Sequence, residues 1–365
     1  MYNGLFVIGA FLTSLVCGFV ITPHIVDFCK RRGLYDLPDA RKRHNTLVPR
    51  LGGICFLPCM VVSFLIATLA LYFLQGRQTS ISLSSVYLLI GVMMVYVVGV
   101  IDDLIGVRAR KKLVVQIVSA CSLPIAGLYI NDLYGLFGIG HIPSYMGMPL
   151  TVFLVVAIDN AMNLIDGIDG LCAGLSVIAM VGFGLMFAGI GFWAFCVMIA
   201  GLIGVLLSYS YFNIFSKSRK IFMGDSGSLT LGFLLAVFFV KLSMNIPWME
   251  IYDERRMMVA ASFLVVPCFD VVRVMIARKR IHKPLFSPDR NHIHHRLMDA
   301  GFTPHQALGV ILLLALCFVG LNSLLSWIGV QPTIIFVADV AAFALFFWLL
   351  ERKKVESPTY DKANL

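Results

Sequence analysis

Apolar runs of membrane-spanning length follow one another through almost the whole chain, near residues 5–23, 51–74, 84–101, 113–130, 149–165, 168–188, 191–211, 227–243, 257–277, 307–328 and 333–350. Counted against a hydrocarbon core about 30 Å thick, they predict about eleven transmembrane helices. The expected fold is therefore an all-α polytopic membrane protein. It forms one integral-membrane domain over 1–355, followed by a polar C-terminal tail at 356–365. Only 13% of the residues are charged, against roughly 25% in soluble domains. The formal net charge of +9 does not point to nucleic acid, because the basic residues stand between apolar runs, where they set topology and meet anionic headgroups or substrates.

Sidedness follows from those charges. Lys and Arg crowd into alternate connections, at 30–50, 108–112, 217–220, 278–296 and 352–354, while the connections near 75–84, 131–148 and 243–256 are poorer in positive charge or carry acids beside it. The positive-inside rule and an odd number of spans place the N-terminus in the periplasm and the C-terminus in the cytoplasm. The opening segment, MYNGLFVIGAFLTSLVCGFVITP, lacks a basic start and a small-residue cleavage site, and reads as a retained anchor. Nine cysteines without paired spacing read as small buried hydrophobes. The stretch 132–148, rich in Gly and aromatics, suits an external hairpin.

The polar clusters gather on the predicted cytoplasmic side. In NLIDGIDGL (163–171), Asn163, Asp166 and Asp169 stand three apart, a spacing that would stack them on one helical face. Carboxylates at the edge of a hydrocarbon slab call for a cation or hydrogen-bonding partner, with helix capping at a tight turn as the plainer alternative. Asp102 and Asp103 would repel unless a metal or cation sits between them; neutralisation by Arg108 and Arg110 is the alternative. FMGDSGS (222–228) sets Asp225 among glycines and hydroxyls ahead of an apolar helix. Backbone N–H groups and a positive helix end would there face a phosphate, and a carboxylate pointing the same way implies a bridging divalent cation such as Mg²⁺. An N-cap role for Asp225 or Ser226 is the alternative. Phe222 suits stacking on a base, or a place at the membrane interface.

His292, His294 and His295 lack the spacing of a zinc site. Flanked by Arg290 and Arg296, they read as donors to a polyanion such as a diphosphate. Arg43 and His44 complete the basic ring. Asp159 and Asp270 lie within apolar runs, where ionisable groups are functional candidates; Arg273 one turn on offers Asp270 an intrahelical partner.

Taken in order, IDDLIG, NLIDGIDGL, FMGDSGS and SPDRNHIHHRLMDAGF resemble the signature of the polyprenyl-phosphate N-acetylhexosamine-1-phosphate transferases. The resemblance extends from Gly33 to about Gln306, and IHH after PDR resembles the N-acetylglucosamine branch. It implies attack of undecaprenyl phosphate on the β-phosphorus of a UDP-HexNAc, giving undecaprenyl-diphospho-HexNAc and UMP at the bacterial inner membrane, with Mg²⁺ or, in substitution, Mn²⁺. N-acetylglucosamine is the expected sugar. A galacto epimer, a deoxy sugar or the UDP-muramyl-pentapeptide substrate are the alternatives.

By matching motifs, Asp225 resembles the magnesium ligand with Asn163 beside it, and Asp102 and Asp103 join Asp225 as catalytic candidates. Phe222, Gly167 and Asp169 resemble the uridine pocket, with Asp166 on the nucleotide-sugar side. Arg290, His292, His294, His295 and Arg43 are expected at the diphosphate and sugar. A departure from the family pattern is Asp159, where a small or apolar residue is expected. The expected partners are the two substrates and the bilayer, with a homodimer admitted. A transporter is the competing class, which would hold its site near the membrane midplane in repeated halves; no internal repeat is visible.

Overall fold

The computed structural model describes residues 2–36, 47–76, 82–245, 255–283 and 290–356. Lipid offers no partner to a backbone N–H or C=O, so each apolar run satisfies its own as a helix. In chain order these are α1 (Tyr2–Arg32), α2 (Phe56–Gln75), α3 (Leu83–Ile105), α4 (Ala109–Ile125), α5 (Ser144–Ile165), α6 (Leu171–Gly189) and α7 (Trp193–Ser210). They continue with α8 (Asp225–Ser243), α9 (Arg256–Ser262), α10 (Val265–Arg280), α11 (Ile293–Asp299), α12 (Pro304–Trp327) and α13 (Pro332–Glu356). Among the described residues, nine helices are long and apolar enough to cross a membrane, or ten if α9 and α10, bent by 68° at their junction, form one span. The remaining apolar run is α4, only 17 residues long.

Local chemistry sets the helix ends. Ser82 accepts the Ser85 N–H ahead of α3, and Thr303 and Gln306 form a reciprocal capping box ahead of α12. The last turn of α1 carries Lys30, Arg31 and Arg32, which complement the negative end of the helix dipole.

The architecture is a bundle wrapped around α8. Of its most apolar window 94% is buried, against 22% for α1. Its neighbours are α3, α5, α6, α9 and the 3-10 turn Gly52–Cys55. Small residues allow the close approach, as in other membrane helix packings: a methyl group on Gly99 of α3 would lie 2.7 Å from the Ser226 Cα, and one on Gly53 only 2.1 Å from the Gly227 Cα.

At the far end of α8, the Asn131 side chain clasps the Asn245 backbone, its carboxamide donating to the Asn245 carbonyl (2.7 Å) and accepting the Asn245 N–H (2.8 Å). Beside that clasp β1 (Asp132–Leu136) pairs antiparallel with β2 (Ile139–His141), a hairpin shorter than the stretch 132–148 anticipated for it, because α5 already begins at Ser144. The hairpin and the start of α8 thus mark opposite ends of the bundle.

One local expectation is corrected. Asn163, Asp166 and Asp169 do not share a helical face: α5 stops at Ile165, Asp166 is its C-cap, and α6 begins only at Leu171. Gly170, at φ +77°, takes the left-handed conformation at the N-cap of α6, so the turn between the two helices is not helical.

Candidate active site

The last turn of α3, the first residue of α8 and the start of α4 meet at one end of the bundle. There Asp102, Asp103 and Asp225 each bring a carboxylate oxygen to within 4.8 Å of the others. Asp103 is buried, and its two oxygens accept the backbone N–H groups of Asp225 (2.8 Å) and Ser226 (2.9 Å). It thereby supplies the cap that Gly224, at the N-cap position, cannot. Gly224 is required there: its φ is +73°, and a methyl group on it would fall 2.5 Å from an Asp103 oxygen and 2.2 Å from the Arg50 carbonyl.

Asp102 accepts the Val107 N–H (2.7 Å) and the Lys112 ammonium (3.1 Å). Lys112 pairs with Asp225 as well. The cation at these acids therefore comes from the basic run 108–112, but it is Lys112, set between Asp102 and Asp225, in place of the expected Arg108 and Arg110 beside Asp102 and Asp103. Asn163 donates its Nδ2 to Asp225 Oδ1 (3.1 Å) and to Ser228 Oγ (2.8 Å), which fixes the rotamer of Asp225. The donors are all oxygens, three of them carboxylates, which suits a hard divalent cation of the Mg²⁺ class. Asp225 and Asp102 would hold it. Asn163 would join through its oxygen if the carboxamide turned over, an exchange of two atoms in nearly the same place.

The turn after α5 forms a second wall. Asp169 pairs with Lys220 (2.5 Å) and accepts from Asn213 Nδ2 (3.3 Å), while Asn213 Oδ1 accepts the Gly170 N–H (2.7 Å) and its Nδ2 also donates to the Ile221 carbonyl (2.9 Å). Asn213 therefore staples the turn to the segment leading into Phe222. Lys220 lies 5.8 Å from the Phe222 ring centroid, within cation–π range. The backbone of Phe222 is held from below by the Pro49 carbonyl (2.8 Å) and the Gly52 N–H (2.9 Å). Asp166 belongs to the same electrostatic unit: burial first, then the charges of Asp225, Asp169 and Asp103, push its carboxyl up to about 7.

The histidine segment closes the site. Asp270, fully buried in α10, accepts from His292 Nδ1 (2.8 Å), the Ile293 N–H (3.0 Å) and the Arg273 guanidinium (2.8 Å). It caps α11 and orients the first imidazole. Arg273 is indeed its intrahelical partner, and also reaches the Asn291 carbonyl. The His292 and His294 rings lie parallel within 3° at 6.0 Å, and His295 follows at 4.2 Å from His294. His294 is buried, and its Nδ1 has no hydrogen-bond partner among the described residues. Its ring fills the space a side chain at Gly167 would need, with Nε2 2.1 Å from that virtual Cβ. Burial, then the neighbouring His295 and His292, lower it to about 3, so it is neutral at ordinary pH. Arg290 stands exposed just ahead of this segment; Arg43 lies outside the described residues.

No signal in the sequence marks the site contacts of Lys112, Asn213 and Lys220 or the orienting role of Asp270, because the partners that matter, Asp225, Gly170, Asp169 and His292, lie 22 to 113 positions away. Asp159 proves to have a partner too, Gln116 of α4 at 2.9 Å.

The sequence profile of "Glycosyl transferase family 4" matches residues 85–243, which include Asp102, Asn163 and Asp225. A Bacillus subtilis (strain 168) protein named "Probable undecaprenyl-phosphate N-acetylglucosaminyl 1-phosphate transferase" is 31% identical over 95% of this chain and 94% of its own. The "Undecaprenyl-phosphate alpha-N-acetylglucosaminyl 1-phosphate transferase" of Escherichia coli (strain K12) is 30% identical over 93% and 91%. Its namesake from Yersinia pestis is 31% identical over 86% and 81%. Similarity at that level over nearly the full length of both partners, together with motifs that converge in space, means that the chain belongs to glycosyl transferase family 4, the polyprenyl-phosphate N-acetylhexosamine-1-phosphate transferases.

Proposed function

We propose that this protein transfers N-acetylglucosamine 1-phosphate from UDP-N-acetylglucosamine to undecaprenyl phosphate, with Mg²⁺, or Mn²⁺ in its place, as cofactor. The observation that carries the reading is the cluster of Asp102, Asp103 and Asp225 around the start of α8, in a chain so similar to transferases of that name. A lipid phosphate oxygen attacks the β-phosphorus of the nucleotide sugar. The bond from that phosphorus to the bridging oxygen breaks, and the oxygen leaves with the electron pair as part of UMP. A phosphate monoester has its second pKa near ~6, so the acceptor is largely dianionic and direct displacement needs no strong base. Joining two anions is chiefly a matter of charge neutralisation and alignment.

Asp225 and Asp102 would hold the metal, which would supply that neutralisation when bound. Asn163 orients Asp225, and Asp103 fixes the backbone that carries it, a positioning role in place of proton transfer. Lys112 provides a further positive charge at the same acids. Phe222, Gly167 and Asp169 serve the side assigned to uridine, with Asp166 on the nucleotide-sugar side, within the field of Asp225 and Asp169. Neutral His294, with His292, His295, Arg290 and Arg43, serves the diphosphate and sugar. With α4 and the bent α9–α10 pair both taken as spans, eleven crossings together with the positive-inside rule support a periplasmic N-terminus, a cytoplasmic C-terminus and a site at the inner leaflet of the bacterial inner membrane.

The test is UMP release by purified protein in nanodiscs with Mg²⁺, undecaprenyl phosphate and a panel of UDP-sugars. Release is expected with UDP-N-acetylglucosamine and is expected to fall at least ~10³-fold in Asp225→Asn, the scale of losing a central electrostatic group. No release with any sugar overturns the function, and an active Asp225→Asn overturns the metal assignment.

A further inference from the structure

Asp159 is not accounted for by that chemistry. It lies within α5, 1% exposed, in the most expensive setting for a carboxyl group. One oxygen accepts from Gln116 Nε2 (2.9 Å); the other has no hydrogen-bond partner among the described residues. On its other side α8 comes so close that a methyl group on Gly232 would sit 2.7 Å from the Asp159 Cα and 2.9 Å from Oδ1. Gln116 is in turn tied to α5 a second time, through Asn160 Nδ2 (3.2 Å).

The three helices meeting at Asp159 each carry a residue of the site. Lys112 is one turn from Gln116 on α4, Asn163 one turn from Asp159 on α5, and Asp225 two turns from Gly232 on α8. At 1.5 Å per residue these are displacements of about 6, 6 and 10 Å along the three axes, all toward the same end. A rotation of α4 about its axis, which the Asp159–Gln116 bond resists, would swing Lys112 away from Asp102 and Asp225. We propose that Asp159 is a positioning residue: through Gln116 it sets the rotation of α4 against α5 and α8, and so holds Lys112 between Asp102 and Asp225. The inference rests on the proposed transferase reading, and it predicts coupling between two residues, Asp159 and Lys112, that do not touch.

A double-mutant cycle tests it. Asp159→Leu and Gln116→Leu are each expected to lower kcat for UMP release roughly 20-fold, with KM for the UDP-sugar within about twofold. Asp159→Asn, which keeps an acceptor for Gln116, should stay within about threefold of the wild type. In a Lys112→Gln background, Asp159→Leu should cost no further activity, because the group it positions is gone. Mn²⁺ binding, read from the electron paramagnetic resonance of the free ion, gives a readout independent of turnover. Asp159→Leu is expected to change the dissociation constant at least threefold when Lys112 is present and not when it is absent. A loss of the same size in both backgrounds, an Asp159→Asn variant as impaired as Asp159→Leu, or a silent Asp159→Leu overturns the proposal. If the wild-type protein releases no UMP, the functional reading falls alone, and the Mn²⁺ cycle still decides the role of Asp159.

Discussion

Replacing Asp103 by Asn isolates the cap that one helix lends another. The carboxylate accepts two backbone N–H groups at the start of α8, at 2.8 and 2.9 Å, from a buried position. In Asp103→Asn the carboxamide oxygen serves one of these donors, while its NH₂ is turned against the other. One charge-assisted bond, worth about 1.5–3 kcal/mol, becomes an unmet buried donor. The favourable contact between a negative charge and the positive helix end, about 0.3–1 kcal/mol, is lost as well. Together these amount to about 3 kcal/mol, or roughly 150-fold in the equilibrium between the seated and displaced first turn of α8. Since Asp225 is the first residue of that turn, kcat for UMP release is expected to fall by up to ~150-fold, with KM little changed. Hydrogen exchange of the peptide spanning 222–230, followed by mass spectrometry, should quicken in step. A 100-fold fall in kcat with unchanged exchange would place Asp103 on the reacting atoms instead, and no change in either would show the cap to be dispensable.

Two ionisable groups outside the spans should pull the pH dependence of stability in opposite directions. Asp166, raised to about 7 from 3.8, contributes stability that is complete below about 4 and is lost as pH rises through 7. His294, lowered to about 3 from 6.5, contributes stability that is complete above 6.5 and is lost as pH falls toward 3. Between these limits the two slopes oppose each other, so Asp166→Asn should unmask a decline on acidification and His294→Gln a decline on alkalinisation. Denaturation midpoints in detergent between pH 4 and 7.5 check both signs. Gly53→Ala places a methyl group 2.1 Å from the Gly227 Cα and amide N, backbone atoms that cannot rotate away. It is expected to cost at least ~10-fold in kcat, and an active Gly53→Ala enzyme would show that the 3-10 turn does not set the position of the α8 start.

The division between what was readable in the chain and what was not follows the range of the interactions. Span-length apolar runs, alternating charge and local turn chemistry act over a few to about twenty residues, so the helical membrane fold, the hairpin within 132–148 and the polar motifs are written into the sequence. Even there, the spacing of Asn163, Asp166 and Asp169 suggested a helix that Gly167 and Gly170 interrupt, because a three-residue period counts only while the backbone stays helical. The pairings inside the site are another matter. Asp103 with the α8 amides, Lys112 with Asp225, Asn213 with the turn at Gly170, and Asp270 with His292 join residues 22 to 123 positions apart. No local pattern encodes such partners. They exist because α8 is threaded through the centre of the bundle and every neighbouring helix must bring its polar groups to α8's ends or match them inside the hydrocarbon, where an unmatched one costs several kcal/mol. The sequence determined which chemical groups the protein has and that it resides in a membrane; the tertiary structure decided which group faces which, and with it the roles of Lys112, Asp103 and Asp159.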